Sequence, residues 1–305
     1  MTVAGSSPFL PLYATPRGAG FDGVAGLIIT KPSGSFLCTG SLVGSFNQHI
    51  VTAAHCMLDA TSVSAVFFPP GGGIDIIDGL SYNIPAAYTG NVIDENDISV
   101  VKLDRKVTSV GGYNLSSEDG VGQTYRQVGF GASGTGAAGV TEPAGLRRTG
   151  LNRFDFTGAD PVFGGFWDDQ DVYFADFDNG SASQDASCRL TAFFTPLNSQ
   201  YCDLGAGLSE VLSAGGDSGG PLFVNGRLAA ISSFGITFRR SAIGDVDGVL
   251  NSSFGELAGF TRIDRHLDWL NQQILPEPAS IALLATGLIG MAAGRLVRRR
   301  KHRVA

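Results

Sequence analysis

From Gly23 onwards, apolar and β-branched residues come in short runs broken by Gly, Ser and Asn. Val24 to Thr30, Phe36 to Val43 and Gln48 to Ala54 begin the series. Ser64 to Phe68, Ile98 to Leu103, Arg126 to Gly131, Pro221 to Val224, Leu228 to Phe234 and Leu257 to Ile263 continue it. Runs of this length and composition read as strands, and their recurrence predicts an all-β barrel or sandwich. Helical periodicity surfaces once in the body. Ile263, Leu267, Leu270 and Ile274 share one face of a helix over Asp264 to Ile274, with Asp264 placed to cap it. Residues 1–20, rich in Pro, Gly, Ser and Ala, read as an irregular arm, and the stretch from Gly111 to Gln200 is looser and richer in Gly and Asp.

Composition changes this picture in two ways. Hydrophobic residues make up 43% of the 305-residue chain, ample for a packed core, while charged residues make up only 16%. The net charge of -7 conceals an asymmetry, because Arg295, Arg298, Arg299, Arg300, Lys301 and Arg303 crowd the C-terminus. Up to residue 275 there are 15 Lys and Arg against 27 Asp and Glu. An acidic body argues against a nucleic-acid partner, since phosphate binding needs a basic face. Asp155, Asp160, Asp168, Asp169, Asp171, Asp176, Asp178 and Asp185 raise the question of calcium, which takes several oxygen ligands. Their spacing fits no calcium-loop pattern, so they read as solvated acidic loops, and no metal is expected.

The four cysteines, Cys38, Cys56, Cys188 and Cys202, are even in number and permit two disulfides, and no pair has C-x-x-C spacing. Disulfides imply export to an oxidising compartment. Residues 1–16 lack the basic start and long apolar run of a signal peptide, so a leader outside this sequence is expected.

The candidate chemistry centres on Gly215 to Pro221, a Gly-rich turn around Ser218. Glycines on both sides allow a tight turn in which the amides of Gly216 and Ser218 point at one spot, an oxyanion hole in outline. A serine also needs a base. Of the four histidines, His49 lies in a strand, His266 in the terminal helix and His302 in the basic tail, whereas His55 follows a strand in a setting of small residues. A carboxylate must then hold the imidazole tautomer, and Asp97, directly before the apolar run Ile98 to Leu103, is the best placed. Asp94 and Asp104 flank less regular sequence.

The order His55, Asp97, Ser218 within TAAHC, NDISVVKL and GGDSGGPL resembles the chymotrypsin/trypsin family of serine endopeptidases over roughly Gly23 to Gln273. The resemblance implies two six-stranded antiparallel β-barrels and a C-terminal helix, with the site in the cleft between the barrels, and assigns residues 21–275 to the protease domain. It implies the pairings Cys38 with Cys56 and Cys188 with Cys202, each on the order of 3 kcal/mol by chain entropy. It further implies a substrate pocket with Leu212 at its floor, six residues before Ser218, and Ser233, Phe234 and Gly235 as a wall that binds substrate as an added strand. Leu212 carries no charge, which points to cleavage after apolar or small residues, although Glu210 could swing into the pocket. Ala214 stands where many relatives have a further cysteine. The Ile-Val-Gly-Gly amino terminus that pairs with the acid at Asp217 in typical relatives is not present, and Phe21-Asp22-Gly23-Val24 resembles it only loosely.

Beyond the body, Pro276-Glu277-Pro278 precedes an apolar run from Ile281 to Gly294 and then the basic cluster. The run is at the short end of a transmembrane helix, and the arginines mark its cytoplasmic side. The arrangement resembles the PEP-CTERM sorting signal. That resemblance implies residues 276–305 as a tail anchored transiently in the membrane, an exosortase as processing partner, and delivery to the cell envelope or the medium. The expected function is an exported serine endopeptidase acting on protein or peptide substrates without a cofactor. The alternative is an inactive relative serving as an envelope or matrix binding module.

Overall fold

Six of the apolar runs close on themselves. The computed structural model describes residues 1–91, 93–160, 170–194, 201, 202, 204–238 and 244–274. After a two-residue strand β1 (Thr2–Val3), the strands β2 (Val24–Lys31), β3 (Gly34–Val43), β4 (His49–Thr52), β5 (Ser62–Phe67), β6 (Asp75–Asn83) and β7 (Ser99–Leu103) form a closed barrel in the order β2-β3-β4-β7-β6-β5. Alternation along each strand sends one set of side chains inward. Val63, Ala65 and Phe67 of β5 are buried in this way, among Leu27, Ile29, Leu42, Ile50 and Val101. A one-turn helix α1 (Ala54–Met57) follows β4.

The second half is built from β8 (Thr124–Gly129), β9 (Ser133–Thr135), β10 (Gly139–Glu142), β11 (Arg148–Arg153), β12 (Phe156–Thr157), β13 (Val172–Asp176), β14 (Val211–Leu212), β15 (Pro221–Val224), β16 (Arg227–Ile236) and β17 (Leu257–Arg262). Seven of these form one sheet in the order β11-β8-β15-β16-β17-β13-β12, and a smaller sheet runs β10-β9-β1-β14. This corrects the expected second six-stranded barrel. Among the described residues the sheet curls without closing, because β14 is two residues long and pairs with β1, and only Glu210, just before it, bridges to β11 at Leu151. The fold is therefore all-β, one closed barrel and one half-barrel. Tyr125, Phe154, Tyr173 and Phe260 fill the core of the second half.

Two helices complete the described structure, α2 (Ala186–Phe194) and α3 (Leu267–Ile274). The expected C-terminal helix is present, and Ile263, Leu270 and Ile274 are buried with Val24, Val43, Phe130 and Phe223 where the two halves meet. Asp264 does not cap it: its carboxylate is engaged by the guanidinium of Arg262. Both expected disulfides, Cys38–Cys56 and Cys188–Cys202, are formed. Pro276, Glu277, Pro278 and the apolar tail lie outside the described residues, among which no helix is long and apolar enough to cross a membrane.

The arm is not irregular throughout. Met1, Val3 and Tyr13 are buried together with Val211, and β1 lies between β9 and β14. The reason is non-local, since the strand partners of β1, and Val211 buried with Met1 and Val3, lie far along the chain.

Candidate active site

Strand register brings the first two predicted residues together. β4 and β7 are antiparallel with Thr52 opposite Ser99, so the turn after β4 and the residues before β7 share one end of the barrel. His55 sits in that turn and Asp97 opposite it. His55 Nδ1 lies 2.7 Å from Asp97 Oδ2, and the His55 backbone N–H donates to Asp97 Oδ1 at 2.8 Å. Asp97 is fully buried, whereas the His55 side chain retains 33% exposure. A buried carboxylate against Nδ1 fixes the proton there and leaves Nε2 as the acceptor. Burial and the charges of Asp97 and Asp94 push the nearby Tyr88 phenol well above its usual range, so Tyr88 stays neutral.

Ser218 comes from the other half, and the barrel clamps the turn that carries it. Thr39 of β3 donates its backbone N–H to Ser218 O at 2.9 Å and its hydroxyl to Gly216 O at 2.9 Å. Gly219, at φ 75°, is pressed so closely against the His55 turn that a Cβ there would stand 2.0 Å from Thr52 Oγ1. No L side chain fits, so this glycine is required for the approach. The Cys38–Cys56 disulfide ties the residue before Thr39 to the residue after His55. Among the described residues no hydrogen bond joins Ser218 Oγ to His55, whose recorded side-chain partner is Asp97; such contacts commonly tighten only with substrate bound.

The amides of Gly216 and Ser218 have no acceptor among the described residues, while the neighbouring amides of Asp217, Gly219 and Gly220 bond to Ala214, Ser232 and Asp217 carbonyls. Two unengaged donors beside the hydroxyl are the requirement for binding an oxyanion.

Asp217 itself is fully buried. Its Oδ1 accepts from Gly131 N at 2.8 Å, its Oδ2 from Ala214 N at 3.0 Å, and the Met1 ammonium stands 2.5 Å from Oδ2. Asp217 is thus paired although the Ile-Val-Gly-Gly terminus of typical relatives is not present. Met1 stands at the position of this contact, and Asp22 pairs with Arg147 at 3.1 Å. Burial lowers the proton affinity of that ammonium below an ordinary amino terminus, and Asp217 opposes the shift. Replacing Asp217 by asparagine leaves a buried ammonium without its counter-charge, a change that costs about 3–5 kcal/mol in comparable pairs. Chemical denaturation of Asp217→Asn is expected to show a loss of that order, together with loss of activity from a disordered Gly215–Gly219 turn.

The pocket residues separate. A cavity of about 380 Å³ beside Ser218 is lined by Ser213, Ala214, Phe234 and Leu250 together with Ser233 and Gly235, and no charged side chain among the described residues faces it. Leu212 is not among its walls: it pairs with Thr2 in β14 and is buried in the core with Tyr125 and Leu222. Neighbouring residues of an extended chain point to opposite sides, and Ser213 takes the cavity side. Ser233 has a second place that its sequence did not show. It falls at a register shift between Ser232 and Phe234, and its hydroxyl donates to Asp97 Oδ2, a short contact.

Glu210 does not reach the cavity. Its carboxylate accepts from Asp178 N at 2.8 Å and from Ala206 N at 2.7 Å and is buried. Burial first, and Asp178 next, push it up to about 9. Asp155, Asp176, Asp178 and Asp185 are likewise buried, which corrects their reading as solvated loops; Asp168 and Asp169 lie outside the described residues.

Comparison with known proteins places these features in context. The profile of the Trypsin family matches residues 19–148, a span that includes His55 and Asp97 and stops short of Ser218. Brachyurin of Leptuca pugilator is 28% identical over 247 residues, covering 78% of this chain and 88% of its own length. Among solved structures, HL collagenase superposes with a TM-score of 0.56 at 19% identity, covering 86% of this chain and 96% of its own. Neuropsin, a serine protease expressed in the limbic system of mouse brain, gives 0.58 at 17% identity, covering 86% and 99%.

Proposed function

We propose, from the premise that the chain carries a trypsin-family serine protease domain and is a serine endopeptidase, that it cleaves peptide bonds through an acyl-enzyme at Ser218 and prefers uncharged residues before the cut. The observation that carries the assignment of roles is the fully buried Asp97 against His55 Nδ1 at 2.7 Å, on the same side of the barrel as the clamped Ser218 turn. His55 takes the Ser218 proton as the hydroxyl attacks and returns it to the leaving amine. Asp97 holds the tautomer and stabilises the imidazolium, with Ser233 holding Asp97. The Gly216 and Ser218 amides take the oxyanion charge. No cofactor enters this sequence of steps.

Two features support the substrate reading. Among the described residues, Phe234 to Ile236 of β16 pair with β17 on one side only, which leaves the other edge for an added strand of peptide. The adjoining cavity offers Ala214, Phe234 and Leu250 with the hydroxyls of Ser213 and Ser252, and among the described residues no carboxylate to pair Arg or Lys. Digestion of a random peptide library tests this directly. Cuts after apolar or small residues are expected, at least tenfold in excess over cuts after Arg or Lys, since burying an unpaired cation costs more than about 1.4 kcal/mol. Cuts confined to Arg and Lys sites would refute the pocket assignment.

Export belongs to the same proposal. The two disulfides favour an oxidising compartment. Pro276-Glu277-Pro278, the apolar run and the arginine cluster favour sorting by an exosortase-type enzyme, with the protease domain delivered to the envelope or beyond.

A further inference from the structure

We propose that Asp176, Asp178 and Glu210, together with the hydroxyl of Tyr125, form a buried calcium site behind the wall of the substrate pocket. Each of the three acids offers a carboxylate oxygen within 4.8 Å of the other two, and all three residues are buried. The strongest influences on Asp176 and Glu210 are burial and neighbouring carboxylates, Asp155 and Asp185 for the first and Asp178 and Asp155 for the second. Acidic clusters are common, and this alone carries nothing. The independent observation is Tyr125. Its side chain is fully buried, its hydroxyl finds no hydrogen-bond partner among the described residues, and that hydroxyl lies close enough to Asp155, Asp176 and Glu210 to feel all three charges. An orphaned buried hydroxyl costs about 1–3 kcal/mol, and a cation, or a water held by one, among the acids it faces removes that cost.

The surrounding bonds hold the donors in place and leave lone pairs inward. Glu210 accepts one backbone N–H on each oxygen, from Asp178 and Ala206, and Asp176 Oδ2 accepts from Ser187 N at 3.0 Å. Asn152, opposite Tyr125 in the β8–β11 ladder, donates to Asp176 O and Val211 O, tying the three segments together. The donor set is hard oxygen throughout, without nitrogen or sulfur, which selects calcium over zinc, and an irregular set suits calcium better than magnesium, which demands an octahedron.

The placement gives the ion a structural task. Glu210 leads through Val211 and Leu212 into Ser213 and Ala214 of the cavity, and its carbonyl accepts from Ala4 N of the arm that carries Met1. Calcium there would brace the segment where Ala214 forgoes a disulfide. This inference stands on the cluster's own geometry and survives if the chain proves catalytically inactive.

The test uses the whole chain, stripped with a chelator and then titrated with calcium alone. At about a hundredfold excess over Kd the midpoint of thermal unfolding is expected to rise by roughly 5–10 °C. Terbium, a calcium stand-in excited through aromatic side chains, is expected to luminesce and to be displaced by calcium. Asp178→Asn and Glu210→Gln should abolish both responses, and Tyr125→Phe, which keeps the ring packing, should weaken calcium binding several-fold. An unchanged midpoint with no displaceable terbium signal in the wild-type chain overturns the proposal. So does a calcium response that survives intact in Asp178→Asn and Glu210→Gln, or a site that binds zinc and not calcium.

Discussion

Ser218→Ala is expected to lower kcat by about 10⁶-fold, the order observed when a serine nucleophile is removed from such a triad. The residual rate, roughly 10³–10⁴ above that in water, should survive because the Gly216 and Ser218 amides and the open edge of β16 are untouched. The variant should also fold normally, since the recorded bonds of Ser218 in the turn run through its backbone, to Thr39. Steady-state kinetics on a peptide ester, with unfolding followed on the same preparation, separates loss of the nucleophile from loss of the fold.

Asp97→Asn is expected to cost about 10⁴-fold in kcat at neutral pH. Three groups donate to this carboxylate: His55 N, His55 Nδ1–H and the Ser233 hydroxyl. An amide supplies only one acceptor oxygen. Its NH₂ group turned toward His55 makes Nδ1 the acceptor and moves the imidazole proton to Nε2, where it faces Ser218 and the ring can no longer act as base. KM should change little, because Asp97 does not line the cavity. A kcat deficit that shrinks as pH rises, with KM nearly constant, identifies a tautomer effect and not a collapsed pocket.

Legibility in the sequence followed the range of the interactions. Strands that are largely buried and lie inside a sheet, such as β2, β3, β15 and β17, announced themselves through β-branched and apolar runs. β6 did not: Asp75 to Asn83 is mostly exposed and carries its polar residues outward along the barrel. β11 and β13 were hidden by Arg, Asn and Asp whose partners lie far along the chain. α2 had a readable start, since Asp185 accepts from Cys188 N at 2.7 Å in the manner of an N-terminal cap. β1 had none, because its two residues form a strand only by pairing with β9 and β14, which lie far along the chain.

The site divides the same way. His55, Asp97 and Ser218 sit in local motifs whose small residues and glycines are needed for close approach, so their chemistry could be read before the fold. The whole lining of the pocket could not be read from one motif, since Ser213 and Ala214 precede the nucleophile turn while Leu250 and Ser252 come from a distant loop. Nor could the acids: Asp155, Asp176, Asp178 and Glu210 come from separate segments and meet only once the second sheet has curled.

Intact-mass analysis of the chain after reaction with a fluorophosphonate tests the central claim most directly. One adduct per chain is predicted, mapped by peptide sequencing to Ser218, absent from Ser218→Ala, slowed strongly in Asp97→Asn, and absent when the protein is unfolded before reaction. No adduct on the folded chain, or an adduct that persists in Ser218→Ala, would contradict the account.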